Sequence, residues 1–274
     1  MNKNSFLGRA AASPHIVWAV LFILAPICFV VYYAFTDDSG AFTLSNFSQF
    51  SHYSSVLLLS LMLALIATTI CLLLGYPLAF FISQLKPSTQ KILIVLLMLP
   101  MWISLLIRTY SLMALLDNGG IVSTFLTSFG FEKLTFIGTE GAVILGMVYN
   151  YLPYMILPLY STIVKIDHRL VEAAEDLGCN TFQVFGKVIF PLSMPGIVSG
   201  VTMVFVPAVS TFYISQKLGG PNTILIGDVI ERQFKQGNNP NLGAALSLVL
   251  MILVFVCTGI MNRFGADEEG GVIA

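Results

Sequence analysis

Long stretches of the chain carry no charge. No Asp, Glu, Lys or Arg lies between Arg9 and Asp37, Asp38 and Lys86, Lys91 and Arg108, Glu140 and Lys165, Lys187 and Lys217, or Lys235 and Arg263. A helix needs ~20 apolar residues to cross the hydrocarbon of a bilayer. The pattern predicts six spans, near Ile16–Phe35, Ser55–Gln84, Ile92–Leu115, Ala142–Val164, Pro195–Ile214 and Leu242–Asn262. The third contains Arg108 and is the least regular. A membrane barrel would alternate apolar and polar positions over ~10 residues. The continuously apolar run Val56-Leu57-Leu58-Leu59 and its like do not alternate.

Composition agrees. Of 274 residues, 57% are hydrophobic and 10% charged, against about 45–50% and about 25% in soluble domains. That excludes a soluble enzyme. A net charge of −1 offers no basic face to nucleic acid. The expected class is an all-α polytopic membrane protein whose surroundings are lipid, with residues 1–274 as a single transmembrane domain.

Six spans put both termini on one side. Lys3, Arg9, Lys86, Lys91, Lys165, Arg169, Lys187 and Arg263 fall on that side; Lys133, Lys217, Arg232 and Lys235 fall on the other. The positive-inside rule makes the first side cytoplasmic. The first span is expected to remain an uncleaved helix: its apolar run is too long for a signal peptide and no small-x-small site follows. Ile27 before Cys28 is too large for a lipoprotein site. Cys28, Cys71 and Cys257 fall in spans and Cys179 in a cytoplasmic loop, so neither a disulfide nor a metal site is expected.

No catalytic residue is expected either. His15, His52 and His168 lie at span edges or in loops, away from any Ser or Cys at catalytic spacing. Gly186-Lys187 is followed by Val188 and lacks the earlier glycine of a phosphate loop, so the chain has no ATP-binding motif of its own. The span cores lack the carboxylates that ion-coupled carriers use.

The loop after the fourth predicted span, about 165–191, holds most of the cytoplasmic charge. Leu170, Ala173, Ala174 and Leu177 recur at i, i+3, i+4 and i+7, one apolar helical face, with Glu172, Glu175 and Asp176 opposite. Asp167 is a cap candidate, Gly178 a stop, and a second short helical segment should end at Pro191.

Within it, Glu172-Ala173-Ala174-x3-Gly178-x9-Val188-x-Phe190-Pro191 resembles the Glu-Ala-Ala loop of ABC-importer permeases, Glu-Ala-Ala-x3-Gly-x9-Ile-x-Leu-Pro. Val188 and Phe190 depart from it but stay apolar. Gly75-Tyr76-Pro77, Leu106-Ile107-Arg108-Thr109-Tyr110, Leu152-Pro153-Tyr154, Pro158-Leu159-Tyr160-Ser161 and Gly219-Gly220-Pro221-Asn222 are similar to the spermidine/putrescine permeases, so the resemblance covers about residues 55–262. It implies a type I ABC importer (MetI-like) permease fold in the bacterial inner membrane. It also implies an ABC ATPase dimer holding ATP and Mg, a second homologous permease and an extracellular or periplasmic substrate-binding protein as partners. The coupling residues would be Glu172, Ala173, Ala174, Gly178, Val188 and Pro191. A permease for another solute is the alternative, and a secondary carrier a more distant one.

A polyamine site should combine acids with aromatic faces. The candidates are Trp102, Tyr110, Tyr149, Tyr154, Phe212 and Tyr213, with Asp117 as the acid. Pro207 deep in span five should leave irregular backbone that a cavity or protein must cover. Arg108 should snorkel outward or pair with Asp117, Glu140 or Asp228. Gly196 and Gly200 have the spacing that lets helices approach closely. Ile226, Ile230 and Phe234 suggest a helix lying on the membrane surface, and 267–271 a mobile tail.

Overall fold

The computed structural model describes residues 14–37, 39–128, 136–235 and 239–269. Lys3, Arg9 and Lys133 of the charge count, and 270–271 of the tail, lie outside them. In chain order the helices are α1 (Pro14–Ala34), α2 (Ser54–Ser83), α3 (Pro87–Met98), α4 (Leu105–Leu116), α5 (Ile121–Ser128), α6 (Glu140–Ile163), α7 (His168–Asp176), α8 (Thr181–Leu192), α9 (Met194–Ser210), α10 (Ile226–Lys235) and α11 (Pro240–Glu269). α1 carries a π-helical turn at Val20–Leu24, and α8 one at Phe185–Ile189. The helix through Glu269 takes in residues 267–269 of the segment expected to be a mobile tail.

Four helical segments are long and apolar enough to cross a membrane, and two bent pairs bring the total to six. The third predicted span is one of these pairs, not a straight rod. α3 and α4 have twelve residues each, about 18 Å of rise, short of the ~30 Å hydrocarbon. They are separated by a 3-10 turn at Leu99–Trp102 that begins around Pro100, and the pair is bent by 91°. Ile103 is extended and Ser104 restarts the helix, its hydroxyl accepting from the Leu106 amide at 3.3 Å. The fifth span is the other pair: α8 meets α9 at Ser193 with a 63° bend.

The chain divides into two compact units. In the first, residues 1–54 and 229–253, Ala34 packs with Ala244, Ala245 and Leu248, ringed by Val30, Phe35, Phe47 and Met251. Asn46 donates to the carbonyls of Ala34 and Thr36, which closes the turn after α1. In that turn the Ser39 hydroxyl, then the Ala41 amide, hydrogen-bond the Asp37 carboxylate and hold its pKa below the ordinary value.

The second unit spans 55–228 and 254–274. Its main packing is α6 against α9. Glycines permit it: a β-carbon on Gly200 would come 2.7 Å from Met155 Sδ, and one on Gly196 2.7 Å from Thr162 Oγ1. The glycine pair thus meets a neighbouring span of the same chain. Met147, Met155, Ile156, Leu159 and Val204 are fully enclosed there. α2 joins through Gly75 against Met155 and Ile156, and through Tyr76, whose hydroxyl lies 2.8 Å from Ser193 Oγ. Gln90 at the start of α3 donates to Ser83 and Leu85 carbonyls and accepts from the Tyr160 hydroxyl at 2.9 Å.

α10 departs from the surface helix expected of it. Ile226 and Asp228 at its start are 1% exposed, and the Ile226 amide donates to Ser60 Oγ of α2 at 2.8 Å. A β-carbon on Gly227 would collide with the Thr211 carbonyl. Only the far end, with Phe234 exposed, resembles an interfacial helix.

Candidate functional site

Two places carry the predicted residues. The first is the segment from Asp167 to Pro191, shaped almost wholly by local hydrogen bonds. The Asp167 carboxylate caps α7 by accepting from the Arg169 amide at 3.0 Å. At the other end Cys179 N–H donates to the Ala174 carbonyl at 3.0 Å and Gly178 N–H to the Glu175 carbonyl at 2.8 Å. Those two bonds make a Schellman motif, which requires a left-handed residue; Gly178 supplies it with φ +85°. Asn180 and Gln183 then form a reciprocal capping box that starts α8.

The apolar face predicted for α7 is not buried in this chain. Leu170 and Ala173 are exposed, Leu177 is 86% exposed, and Ala174 is half-buried. Glu172 is exposed on the same helix, with His168 Nδ1 3.6 Å away. Val188 and Pro191 are half-buried in α8. Phe182, which sequence reasoning missed, is 90% exposed just beyond the turn. It stands three and seven residues before Phe185 and Ile189, so the sequence alone reads it as part of an apolar stripe and not as a projecting group. Leu177 and Phe182 thus project as two large exposed apolar groups flanking the turn. Behind them a cleft of about 290 Å³ is lined by Phe80, Gln84, Ile163, Val171, Glu175 and Phe185. Phe185 packs edge-on to Tyr76 at 5.5 Å and to Phe80 at 5.9 Å, joining the segment to α2.

The second place is the candidate pathway. Of its residues, Tyr110 on α4 and Tyr213 after α9 come together edge to face, centroids 6.0 Å apart. Tyr154 pairs instead with Tyr151 at 6.4 Å. Trp102 precedes α4 and Asp117 caps its C-terminus, so about 18 Å of helix lies between them. Trp102 and Tyr149 are exposed, as is Phe212. Asp117 is exposed and accepts from the Asn118 amide at 2.8 Å. Pro207 sits in the last turn of α9, whose helix runs on to Ser210. The irregular backbone expected at Pro207 is therefore not seen; the proline's own carbonyl accepts from the Tyr151 hydroxyl of α6 at 3.5 Å. Lys217, absent from the sequence candidates, lies over both Tyr110 and Tyr213, Nζ 5.1 and 5.8 Å from the ring centroids. Its place four residues after Tyr213 was the available signal.

Arg108 turns inward, contrary to the expectation of snorkelling or ion pairing. It is 5% exposed, and its Nη1 donates to the Asn150 carbonyl of α6 at 3.3 Å. Among the described residues its Nε and the Asn150 Oδ1 have no protein partner. This is an anchor of α4 on α6. Arg108→Ala removes both the bond and buried volume, and should cost about 2–4 kcal/mol. Arg108→Met keeps the stem's volume and should lose less than half of that, as read by thermal unfolding in detergent. Full stability of Arg108→Ala would contradict the anchor.

Known proteins resemble the chain in sequence and in fold. Residues 10–266 match the family described as "Binding-protein-dependent transport system inner membrane component". The chain is 42% identical to the spermidine/putrescine transport system permease protein PotB of Haemophilus influenzae over 247 residues, 86% of each chain. It is 41% identical to PotB of Escherichia coli, over 86% of this chain and 90% of that one. Among solved structures, a chain of a bacterial ABC transporter importing the acidic polysaccharide alginate superposes with a TM-score of 0.78 at 20% identity, covering 97% of this chain and 96% of that one. One from the MetNI methionine ABC transporter gives 0.59 at 16%, over 78% and 94%. Those likenesses are of fold. With a family match spanning nearly the whole sequence, the chain belongs to the binding-protein-dependent transport system inner membrane components, as a multi-pass membrane permease.

Proposed function

We propose that the chain is one of two permease subunits of an ATP-driven ABC importer for polyamines, and that Asp167–Pro191 is its contact with the ATPase. The observation that carries the contact is the pair of projecting apolar groups, Leu177 and Phe182, on a turn rigidified at Gly178 and Asn180. Polyamine as substrate is supported by the PotB relatives. The site residues are Glu172, Ala173, Ala174, Gly178, Val188 and Pro191, joined by Leu177 and Phe182. The Lys/Arg excess on the side of both termini, eight against four, supports a cytoplasmic placement of that side.

The mechanism follows from the connections. ATP and Mg bind in the ATPase dimer, not in this chain. When the ATPase subunits close, α7 moves with the groove that holds it. The Schellman turn and capping box transmit the movement to α8 without slack. α8 passes it at the Ser193 bend to α9, and through Phe185 and Tyr76 to α2. Because α9 is locked to α6 through Gly196 and Gly200, the spans rock together. A second permease completes the pathway, and a binding protein delivers substrate.

The test uses the assembled complex, purified by a tag on this chain and reconstituted with its binding protein. ATP-dependent uptake of labelled spermidine is expected, and none would overturn the substrate reading. Leu177→Asp with Phe182→Asp removes two anchor residues, each worth roughly 2 kcal/mol or more if it is a hot spot. The ATPase retained by the tagged chain should then fall at least about tenfold, at unchanged membrane level. Full retention would overturn the contact.

A further inference from the structure

α7 turns one face away from the chain and another toward it. Leu170, Ala173 and Leu177 are exposed on the outer face. His168, Val171 and Glu175, at i, i+3 and i+7, line the cleft of about 290 Å³ behind the helix. None of the nine residues of α7 is buried, so the inner face is not packed shut either. A helix this short depends on packing for its stability. The opposite wall of the cleft is already formed. Ile163, Val184 and Ile189 are buried there. Phe80 and Phe185 meet edge to face at 5.9 Å, and Phe185 is held again by Tyr76 at 5.5 Å.

The lining selects an occupant. At about 290 Å³ the cleft lies near the lower end of small-molecule sites, ~300–1,000 Å³, which suits a short chain. Its buried wall is aliphatic and takes methylenes. Two aromatic rings attract a cation. Glu175 is exposed at the mouth, and among the described residues no cation lies within 4.0 Å of its carboxylate. The Gln84 amide, also in the lining, offers a carbonyl to an N–H donor. Glu175 would repel an anion, and a wholly apolar ligand would use neither the carboxylate nor the amide.

We propose that the cleft behind α7 binds a primary alkylammonium, its charge beside Glu175 and the Phe80 and Phe185 rings, its methylenes on Ile163, Val184 and Ile189. Filling the cleft braces α7 from behind and takes slack out of its joint with α8. The site stands on the cleft and its lining; the bracing effect rests on reading Asp167–Pro191 as the ATPase contact. A free aliphatic amine and the ethanolamine headgroup of a membrane lipid both present a primary ammonium, and the test separates them.

The test uses labelled n-hexylamine and the assembled complex in phosphatidylcholine nanodiscs, without the binding protein. Saturable binding is expected. The two methylenes missing from n-butylamine should weaken it about fifteenfold, and n-hexanoate should not compete. Glu175→Gln should weaken binding roughly two- to fivefold, the strength of an exposed ion pair. Val171→Trp, which fills the cleft, should abolish it. With the binding protein restored, hexylamine should raise uptake per ATP hydrolysed in the parent complex and leave Val171→Trp unmoved; an unchanged ratio in the parent would overturn the bracing. Lower hexylamine affinity in phosphatidylethanolamine nanodiscs identifies the lipid headgroup as the source, and unchanged affinity identifies the free amine. Absence of saturable binding, equal competition by n-hexanoate, or binding that neither substitution alters would overturn the site. Saturable binding in a complex whose Leu177→Asp/Phe182→Asp variant keeps its ATPase would keep the site and sink the contact reading instead.

Discussion

Uptake through a complex carrying Gly178→Val is expected to fall by about an order of magnitude or more, with the chain still inserted at normal levels. The reasoning is confined to backbone. Gly178 has φ +85°, and no atom lies within 4 Å of where a β-carbon would stand. A substitution therefore meets no clash, only the cost of the left-handed conformation, roughly 1–2 kcal/mol for an L-residue and more for a β-branched one. That cost is relieved by abandoning the Schellman turn, which frees the Ala174 and Glu175 carbonyls and lets α7 swing relative to α8. Under the proposed coupling, a lever with slack at its joint would absorb the ATPase's movement. The order of uptake should be Gly above Asn above Ala above Val, because Asn tolerates the left-handed region. ATP hydrolysis should persist without matching transport. Normal spermidine uptake by the valine variant would show that the turn does not transmit force.

Gly200→Val should prevent the folded chain from accumulating, and Gly196→Val should do nearly the same. At Gly200 the added β-carbon meets Met155 Sδ at 2.7 Å and the Met155 carbonyl oxygen at 3.1 Å. The thioether can swing away, but the carbonyl belongs to α6 and cannot. At Gly196 the obstacles are Thr162 and the Pro158 carbonyl oxygen at 3.0 Å. Overpacking costs ~1–3 kcal/mol where a core can adjust, and more where two helix backbones must separate. Gly200→Ala should be an intermediate case. Gly259→Ala is the control, since nothing lies within 4 Å of its β-carbon. The readout is monodisperse protein after detergent extraction, with its thermal midpoint. A well-folded Gly200→Val chain would refute close packing at this point.

Residues near one another in sequence were the readable ones. α7, its Asp167 cap, its stop at Gly178 and the following segment through Pro191 all lie where the pattern of side chains predicts them. Each is decided by hydrogen bonds across two to five residues, and such bonds depend only on local identity. The apolar runs were readable for a similar reason, since hydrocarbon demands them wherever a helix crosses. The Glu-Ala-Ala face was also legible as a face, because a helical stripe needs no knowledge of what covers it.

The break in the third span was less legible. Pro100 was in plain view, but proline is also tolerated within long helices, as Pro77 is in α2 and Pro153 in α6. Whether it bends a span depends on what receives the freed backbone. Arg108 was misjudged because its acceptor, the Asn150 carbonyl, lies 42 residues away on another helix. Lys217 was overlooked because an ammonium near tyrosines matters only when Tyr110, over a hundred residues earlier, is folded against it.

Legible from the sequence were the membrane-crossing character of the chain, roughly where its spans lie, and the shape of the segment from Asp167 to Pro191. These follow from solvation of the chain by hydrocarbon and from local hydrogen bonding. The tertiary structure decided which helices bend, which glycines touch and which rings meet a cation. In a membrane, lipid is as apolar as a neighbouring helix, so hydrophobicity cannot say which face is packed. Close contact between distant small and polar residues makes that choice, and only the folded chain displays it.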